Sequence, residues 1–214
     1  MKPKYMPISV SMTGRKCLVV GGGTVALRKV ENLLDYEADV TVVAPEVHDA
    51  LRYHYDRGRI AVEEREYRSP EAGDYGMVFS ATDDHELNQR VYDDAAARGV
   101  LVNAADDPPR CDFIVPAVLR RDCLSVAITT EGRAPFMAGH LRVVLDEVFP
   151  EHWERLMKLA SDFRVRVRER WPEDDGKRSL CFAEFLESDW KTMMSELDDD
   201  GIEAELSRII ERPA

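Results

Sequence analysis

The chain has 214 residues, 44% of them hydrophobic and 33% charged, with a formal net charge of -12. That is the make-up of a soluble globular protein with one full domain and residues over for a smaller unit, and no apolar run approaches the roughly eighteen residues of a membrane span. The acidic balance argues against nucleic acid as a partner, and four separated cysteines (Cys17, Cys111, Cys123, Cys181) without a Cys-x-x-Cys pair argue against a zinc knuckle or a dithiol motif.

In chain order, Lys2 and Lys4 precede a stretch in which Ile8 and Val10 alternate with polar residues. Ser9, Ser11 and Thr13 interrupt it and no small-residue cleavage site follows, so a cytoplasmic protein with reduced thiols is expected. Residues 17–20 form an apolar run of buried-strand type that leads straight into Gly21, Gly22 and Gly23. Val25, Ala26, Val30, Leu33 and Leu34 then recur at helical spacing, and residues 40–44 are a β-branched run closed by Pro45. Strand, helix and strand over about thirty residues make one βαβ unit.

Further strands are predicted at 60–62, 77–81 and 100–104, with a helix over 85–98 closed by Gly99. Such alternation implies a doubly wound parallel sheet covered on both faces, an α/β fold of Rossmann type. Pro108 and Pro109 end the pattern. A strand at 124–128 and a helix over 135–149 follow as a small α+β segment, and three helices over the last third, with apolar positions at 153–171, 182–197 and 202–210, form a helical domain.

The glycines carry chemistry. Gly21-Gly22-Gly23-Thr24-Val25-Ala26 fits the dinucleotide fingerprint Gly-x-Gly-x-x-Ala between a strand and a helix. Gly21 is expected to allow the tight turn, Gly23 to admit a pyrophosphate to the backbone at the helix N-terminus, and Ala26 to let helix and sheet pack closely. The acid that usually ends the second strand and holds the ribose falls here at Ala44, and Ala44-Pro45-Glu46 has its only carboxylate two places late. Either backbone groups at this point meet the ribose or Glu46 reaches back. With no arginine adjoining to receive a 2'-phosphate, NAD is favoured over NADP.

Asn103-Ala104-Ala105-Asp106-Asp107-Pro108 follows the last strand of the sheet, at the edge where doubly wound folds bind ligands. An aspartate before proline forms turns readily, yet a carboxylate placed here also suits general-base work. Between Arg110 and Arg142 the arginines Arg110, Arg120, Arg121, Arg133 and Arg142 outnumber Asp112, Asp122 and Glu131, so an anionic partner would be met there or these cations are a solvated face. His85 and His140, the histidines nearest these motifs, are not read as metal ligands.

Five ordered motifs together resemble the precorrin-2 dehydrogenase and sirohydrochlorin ferrochelatase family, which forms the N-terminal module of sirohaem synthase. They are Gly14-Arg15-Lys16-Cys17-Leu18-Val19-Val20-Gly21-Gly22-Gly23-x-Val25-Ala26-x-Arg28-Lys29; Val42-Val43-Ala44-Pro45-Glu46; Ala81-Thr82-Asp83-Asp84; Val102-Asn103-x-x-Asp106; and Cys111-Asp112-Phe113-Ile114-x-Pro116-Ala117. The resemblance spans residues 7–150 and implies NAD-dependent oxidation of precorrin-2, a polycarboxylate tetrapyrrole, to sirohydrochlorin, with iron insertion as a second activity of some members. It implies catalysis by Asp106; a cofactor held by Gly21, Gly22, Gly23, Thr24, Val25, Ala44, Pro45, Glu46 and Thr82; and a substrate met by Asn103, Arg110, Phe113, Arg120, Arg133 and Arg142. Thr130 aligns where some members carry a modifiable serine. A homodimer joined through residues 114–150 is implied too, so the expected organisation is an NAD-binding domain at 1–113, a dimerisation segment at 114–150 and a helical domain at 151–214. A chain of this length is expected to take its precorrin-2 from another protein. The competing reading is a non-catalytic NAD-binding, redox-sensing module, which would keep the acid missing at Ala44 and have no use for Asp106 beside the 111–117 motif.

Overall fold

The computed structural model describes residues 4–105 and 107–212. The chain divides into two compact units, Met1–Val115 with Thr129–Ala134 and Pro116–Ile128 with Pro135–Ala214.

The first unit is built on a five-stranded parallel sheet: β1 (Lys16–Val20), β2 (Asp39–Ala44), β3 (Ala61–Glu64), β4 (Met77–Ser80) and β5 (Leu101–Ala104), in the order β3-β2-β1-β4-β5. Three helices cover it: α1 (Thr24–Leu34), α2 (Asp49–Asp56) and α3 (His85–Ala96). β1, β2, β4 and β5 are largely apolar because both faces are buried, whereas the edge strand β3 carries Glu63 and Glu64 and is mostly exposed. Cys17 and Val19 point with Val40, Val42 and Phe79 toward Val30 and Leu33 of α1 and Leu51 of α2, whereas Leu18 and Val20 point with Val43, Val78 and Val102 toward Val91 and Ala95 of α3. Val19 and Leu18 are both fully buried. The chain runs outward from β1 to β3 and then crosses back to place β4 on the other side of β1, which opens a crevice at the carboxyl ends of β1 and β4, the switch point where such sheets bind ligands.

Helix α2 was not foreseen from the residues. It is short, and its buried face is only Leu51 and His54, three positions apart, too little to register as a period. Nor do Ile8 and Val10 form a strand; both are exposed on an irregular segment despite their alternation.

In the second unit β6 (Ala117–Arg121) and β7 (Leu124–Ile128) form an antiparallel hairpin against which α4 (Pro135–Val148) packs. The expected strand at 124–128 thus has a partner that the sequence reading passed over. Helices α5 (His152–Arg170), α6 (Asp175–Glu187), α7 (Trp190–Glu196) and α8 (Asp199–Glu211) complete the unit around Phe163, Val167, Cys181, Phe185, Trp190 and Ile209. The single helix expected over 182–197 is two helices. Ser188 turns extended, and the Asp189 carboxylate accepts from the Thr192 backbone N–H at 3.2 Å to start a new helix. No helix among the described residues is long and apolar enough to cross a membrane.

Candidate cofactor and acid-base site

Local chemistry explains the glycine turn. Gly21 has φ of 122°, a conformation that L side chains rarely adopt, and a Cβ there would stand 2.2 Å from the Ala81 carbonyl oxygen. A Cβ on Gly22 would stand 1.9 Å from the carbonyl oxygen of Glu46. Gly22 is the position the fingerprint leaves open; in this chain it is pressed against the loop after β2, and its own carbonyl accepts from His48 N–H at 2.8 Å. Gly23 meets nothing within 4 Å, so its missing side chain leaves open space at the mouth of α1.

That helix mouth is also uncapped. His48 and Asp84 supply side-chain acceptors at the N-termini of α2 and α3, whereas Gly23 offers none to α1. Unpaired N–H groups and the positive end of the helix dipole therefore face the cleft, as an anion such as a pyrophosphate requires. The cleft, about 630 Å³, is lined by the whole glycine turn, Thr24, Val25, Ala44, Pro45, Glu46 and Thr82, so all nine of the expected cofactor positions meet in one place. Its size falls within the ordinary range for a cofactor site.

At the end of β2, where the adenosine ribose is expected, Ala44 is buried at 4% exposure and packs in the core with α1. Glu46 is exposed on the cleft, and Glu66, absent from the expectations, lines it as well. Two carboxylates here disfavour a 2'-phosphate by like-charge repulsion. Tyr67 lines the same end; burial, and then its hydrogen bond to Asp94 at 2.7 Å, push its hydroxyl above the usual phenol range. Thr82 is held from below: Asn88, buried at 2% exposure, donates to the Thr82 carbonyl at 3.0 Å and accepts from Ser80 Oγ at 2.5 Å.

Beyond β5 the chain is pinned on both sides of a short excursion. It leaves at Ala105, whose N–H donates to Ser80 O at 2.8 Å. It returns at Asp112, whose backbone N–H donates to Val102 O at 2.8 Å and whose Oδ2 accepts from Val102 N–H at 2.9 Å. Asn103 Nδ2 donates to Phe113 O at 2.9 Å, and Asn103 Oδ1 accepts from Lys29 Nζ of α1, also at 2.9 Å. The Lys29 ammonium lies 5.7 Å from the Phe79 ring centroid, and Phe79 meets Phe113 edge to face. Cys111 donates to Ala104 O; burial raises its thiol above the usual range. Asp106 belongs to this excursion by sequence and lies outside the described residues.

The expected substrate residues divide between the units. Asn103, Arg110, Phe113 and Arg133 fall in the first, Arg120 and Arg142 in the second. Arg110 is tied to the Asp107 carboxylate and to Gln89 Oε1 at 2.7 Å, and Arg133 pairs with Glu131 at 2.6 Å. Arg142 is exposed on α4. No group of three or more metal-ligating side chains occurs among the described residues.

Residues 8–117 match the family described as "Putative NAD(P)-binding". The chain belongs to that family. The match covers β1 through β5 and the excursion after them, the part of the chain that forms the cleft. Among curated proteins the chain is similar to the siroheme synthase of Nitrosococcus oceani, 41% identical over 167 residues, which are 78% of this chain and 36% of that protein. It is also similar to the siroheme synthase of Pseudomonas paraeruginosa, 38% identical over 207 residues, 97% of this chain and 43% of that protein. The chain thus spans less than half the length of these relatives. A solved structure of "SirC, precorrin-2 dehydrogenase" shares the fold, with a TM-score of 0.78 at 23% identity over 97% of this chain and 99% of that one.

Proposed function

We infer that this chain is an NAD-dependent precorrin-2 dehydrogenase acting in sirohaem synthesis. The observation that carries the reading is an uncapped, glycine-walled helix mouth at the carboxyl end of the parallel sheet, the end at which β5 finishes two residues before Asp106 in the sequence. The names of the similar proteins supply the substrate. NAD, when bound, supplies the hydride acceptor. This chain's residues do the rest. The α1 mouth holds the pyrophosphate, Glu46 and Glu66 select the unphosphorylated ribose, and Asn103 and Phe113 shape the edge at which a tetrapyrrole lies. As the substrate loses a hydride, Asp106 takes the proton that must leave with it, so one hydride and one proton depart for each new double bond.

The substrate's carboxylates are met by arginine. Within the first unit Arg133 is the cation assigned to them, while Arg110, already committed to Asp107 and Gln89, acts by holding the chain after β5 in shape. A second copy of the chain is the assigned partner of α4, whose Met137, Leu141, Val144 and Val148 form an exposed stripe at spacings of three and four.

Anaerobic incubation of the purified protein with precorrin-2 and NAD tests the reading. Sirohydrochlorin absorbance is expected to rise in step with NADH; no turnover with active substrate rejects it.

A further inference from the structure

Asn88 lies on α3 with its side chain turned inward; it is 2% exposed, and Ser80 at the end of β4 is 1% exposed. Both ends of the Asn88 amide are engaged: Oδ1 accepts from Ser80 Oγ at 2.5 Å, and Nδ2 donates to the Thr82 carbonyl at 3.0 Å. The other buried side chains of α3 are Val91 and Ala95. Burying an amide and a hydroxyl sets their desolvation cost against the bonds they make, and an apolar pair of the same shape would pack without that cost. What an apolar pair would lack is a hold on Thr82.

Thr82 lines the cofactor cleft. Its peptide link to Ala81 lies against the glycine turn, since a Cβ on Gly21 would stand 2.2 Å from Ala81 O and 3.4 Å from Thr82 N. The two oxygens of Thr82 already have donors, the carbonyl from Asn88 and Oγ1 from the Asp84 N–H at 2.9 Å. Its hydroxyl proton has no acceptor among the described residues. Thr82 therefore has a donor left to give, beside the turn that fronts the α1 mouth. A phosphate oxygen is the acceptor that suits this place.

We propose that Asn88 is a positioning residue for the cofactor: its amide ties the Thr82 carbonyl to α3 and so keeps the Thr82 hydroxyl aimed as a donor at the pyrophosphate, a second hold on the group that the α1 mouth binds. Asn88 does not itself line the cleft, so it acts through Thr82. This role rests on the NAD-dependent function inferred above, but not on its tetrapyrrole substrate.

The test is a binding cycle without precorrin-2. NADH, ADP and adenosine, the last with no phosphate, are titrated into wild-type protein, Asn88→Leu, Thr82→Val and the double variant; Asn88→Ser replaces Asn88→Leu if that variant does not fold. Each single variant is expected to lose about tenfold in affinity for NADH and for ADP and to keep its affinity for adenosine. The double variant is expected to bind no more weakly than the weaker single one, because both act through one hydroxyl, and Thr82→Ser, which keeps that hydroxyl, to bind as wild type does. Losses that multiply in the double variant overturn the proposal. So does an equal loss for adenosine, which a merely loosened fold produces, or a loss for NADH that ADP does not share. If the variants behave as expected while wild-type protein leaves precorrin-2 unoxidised, the functional reading alone fails. If wild-type protein turns over and NADH affinity is indifferent to both substitutions, the role of Asn88 alone fails. Wild-type protein that binds no NADH overturns both.

Discussion

The carbonyl oxygen of Glu46 occupies the space that a side chain on Gly22 would need, 1.9 Å from the ideal Cβ position. The turn after β1 and the loop after β2 are therefore built against each other, and the two glycines that follow Gly21 differ in what they do. Gly22→Ala is expected to push the 44–46 loop outward, lowering stability by about 1–3 kcal/mol and weakening NADH binding together. Gly23→Ala, with open space around its Cβ, is expected to unfold at the wild-type temperature yet bind NADH at least about tenfold more weakly, because the methyl group stands where a pyrophosphate approaches. Thermal melts and fluorescence titration with NADH separate the two; a Gly23→Ala protein with unaltered affinity would remove the pyrophosphate from this turn.

Glu46 and Glu66 line the cleft, and two carboxylates there are expected to set the choice of cofactor. Wild-type protein is expected to bind NADH more tightly than NADPH, and Glu46→Ser to narrow the gap by about tenfold, the worth of roughly 1.4 kcal/mol of relieved repulsion. Calorimetric titration with both nucleotides measures it.

Asp106→Asn is expected to lower kcat for precorrin-2 oxidation by about a hundredfold or more, in line with the loss of a general base, and to leave NADH affinity unchanged. Stopped assays of sirohydrochlorin formation beside NADH titration check both halves. Equal losses of binding and turnover would make Asp106 a fold residue.

The loop after β3 should lend the first unit an acid-sensitive margin. Burial works to raise the Glu71 pKa, but the two-point grip of Arg65, with Nη2 2.6 Å from Oε2, and the Arg68 N–H on Oε1 outweigh it and hold the carboxyl below its ordinary value of 4.5. A folded-state pKa below the unfolded one stabilises at pH above the ordinary value, and that stabilisation drains away as pH falls through the depressed folded value. Glu71→Gln is expected to cost about 2 kcal/mol at neutral pH, and the difference from wild type to shrink on the acid side of 4.5. Denaturation midpoints across that range show whether it does.

The α4 stripe gives an assembly prediction. Leu141→Glu places a charge within an exposed apolar row that runs from Met137 to Val148 and is expected to convert a dimer to a monomer in sedimentation experiments without lowering helix content. A wild-type monomer at micromolar concentration would refute the assignment of a second copy to this face.

Much of the first unit was legible along the chain because its signals are local. A strand buried on both faces reads as an unbroken apolar run, as in residues 17–20 and 40–44, and a glycine turn between strand and helix announces a phosphate place. The positions expected to hold the cofactor line one cleft for the same reason: they lie at the carboxyl ends of β1, β2 and β4 or in the turn and first helical residues just after β1, and the alternation already implied those strand directions. Elements with little apolar periodicity escaped. Helix α2 buries two side chains, and the break at Ser188 depends on a capping carboxylate, Asp189, set inside a continuous run of aromatic and methionine residues.

What the amino-acid order determined by itself was the sheet, its glycine turn and the chemical kind of each candidate residue. Tertiary structure alone decided which of them meet. Lys29 and Asn103 are 74 positions apart and become partners only because α1 crosses the sheet toward β5. Gly22 is indispensable only because Glu46 returns over it, and Arg110 is spent on Asp107 and Gln89 only because α3 lies alongside. Hydrophobic periodicity is written along the chain, whereas hydrogen bonds and close approaches depend on distances that exist once the chain has folded.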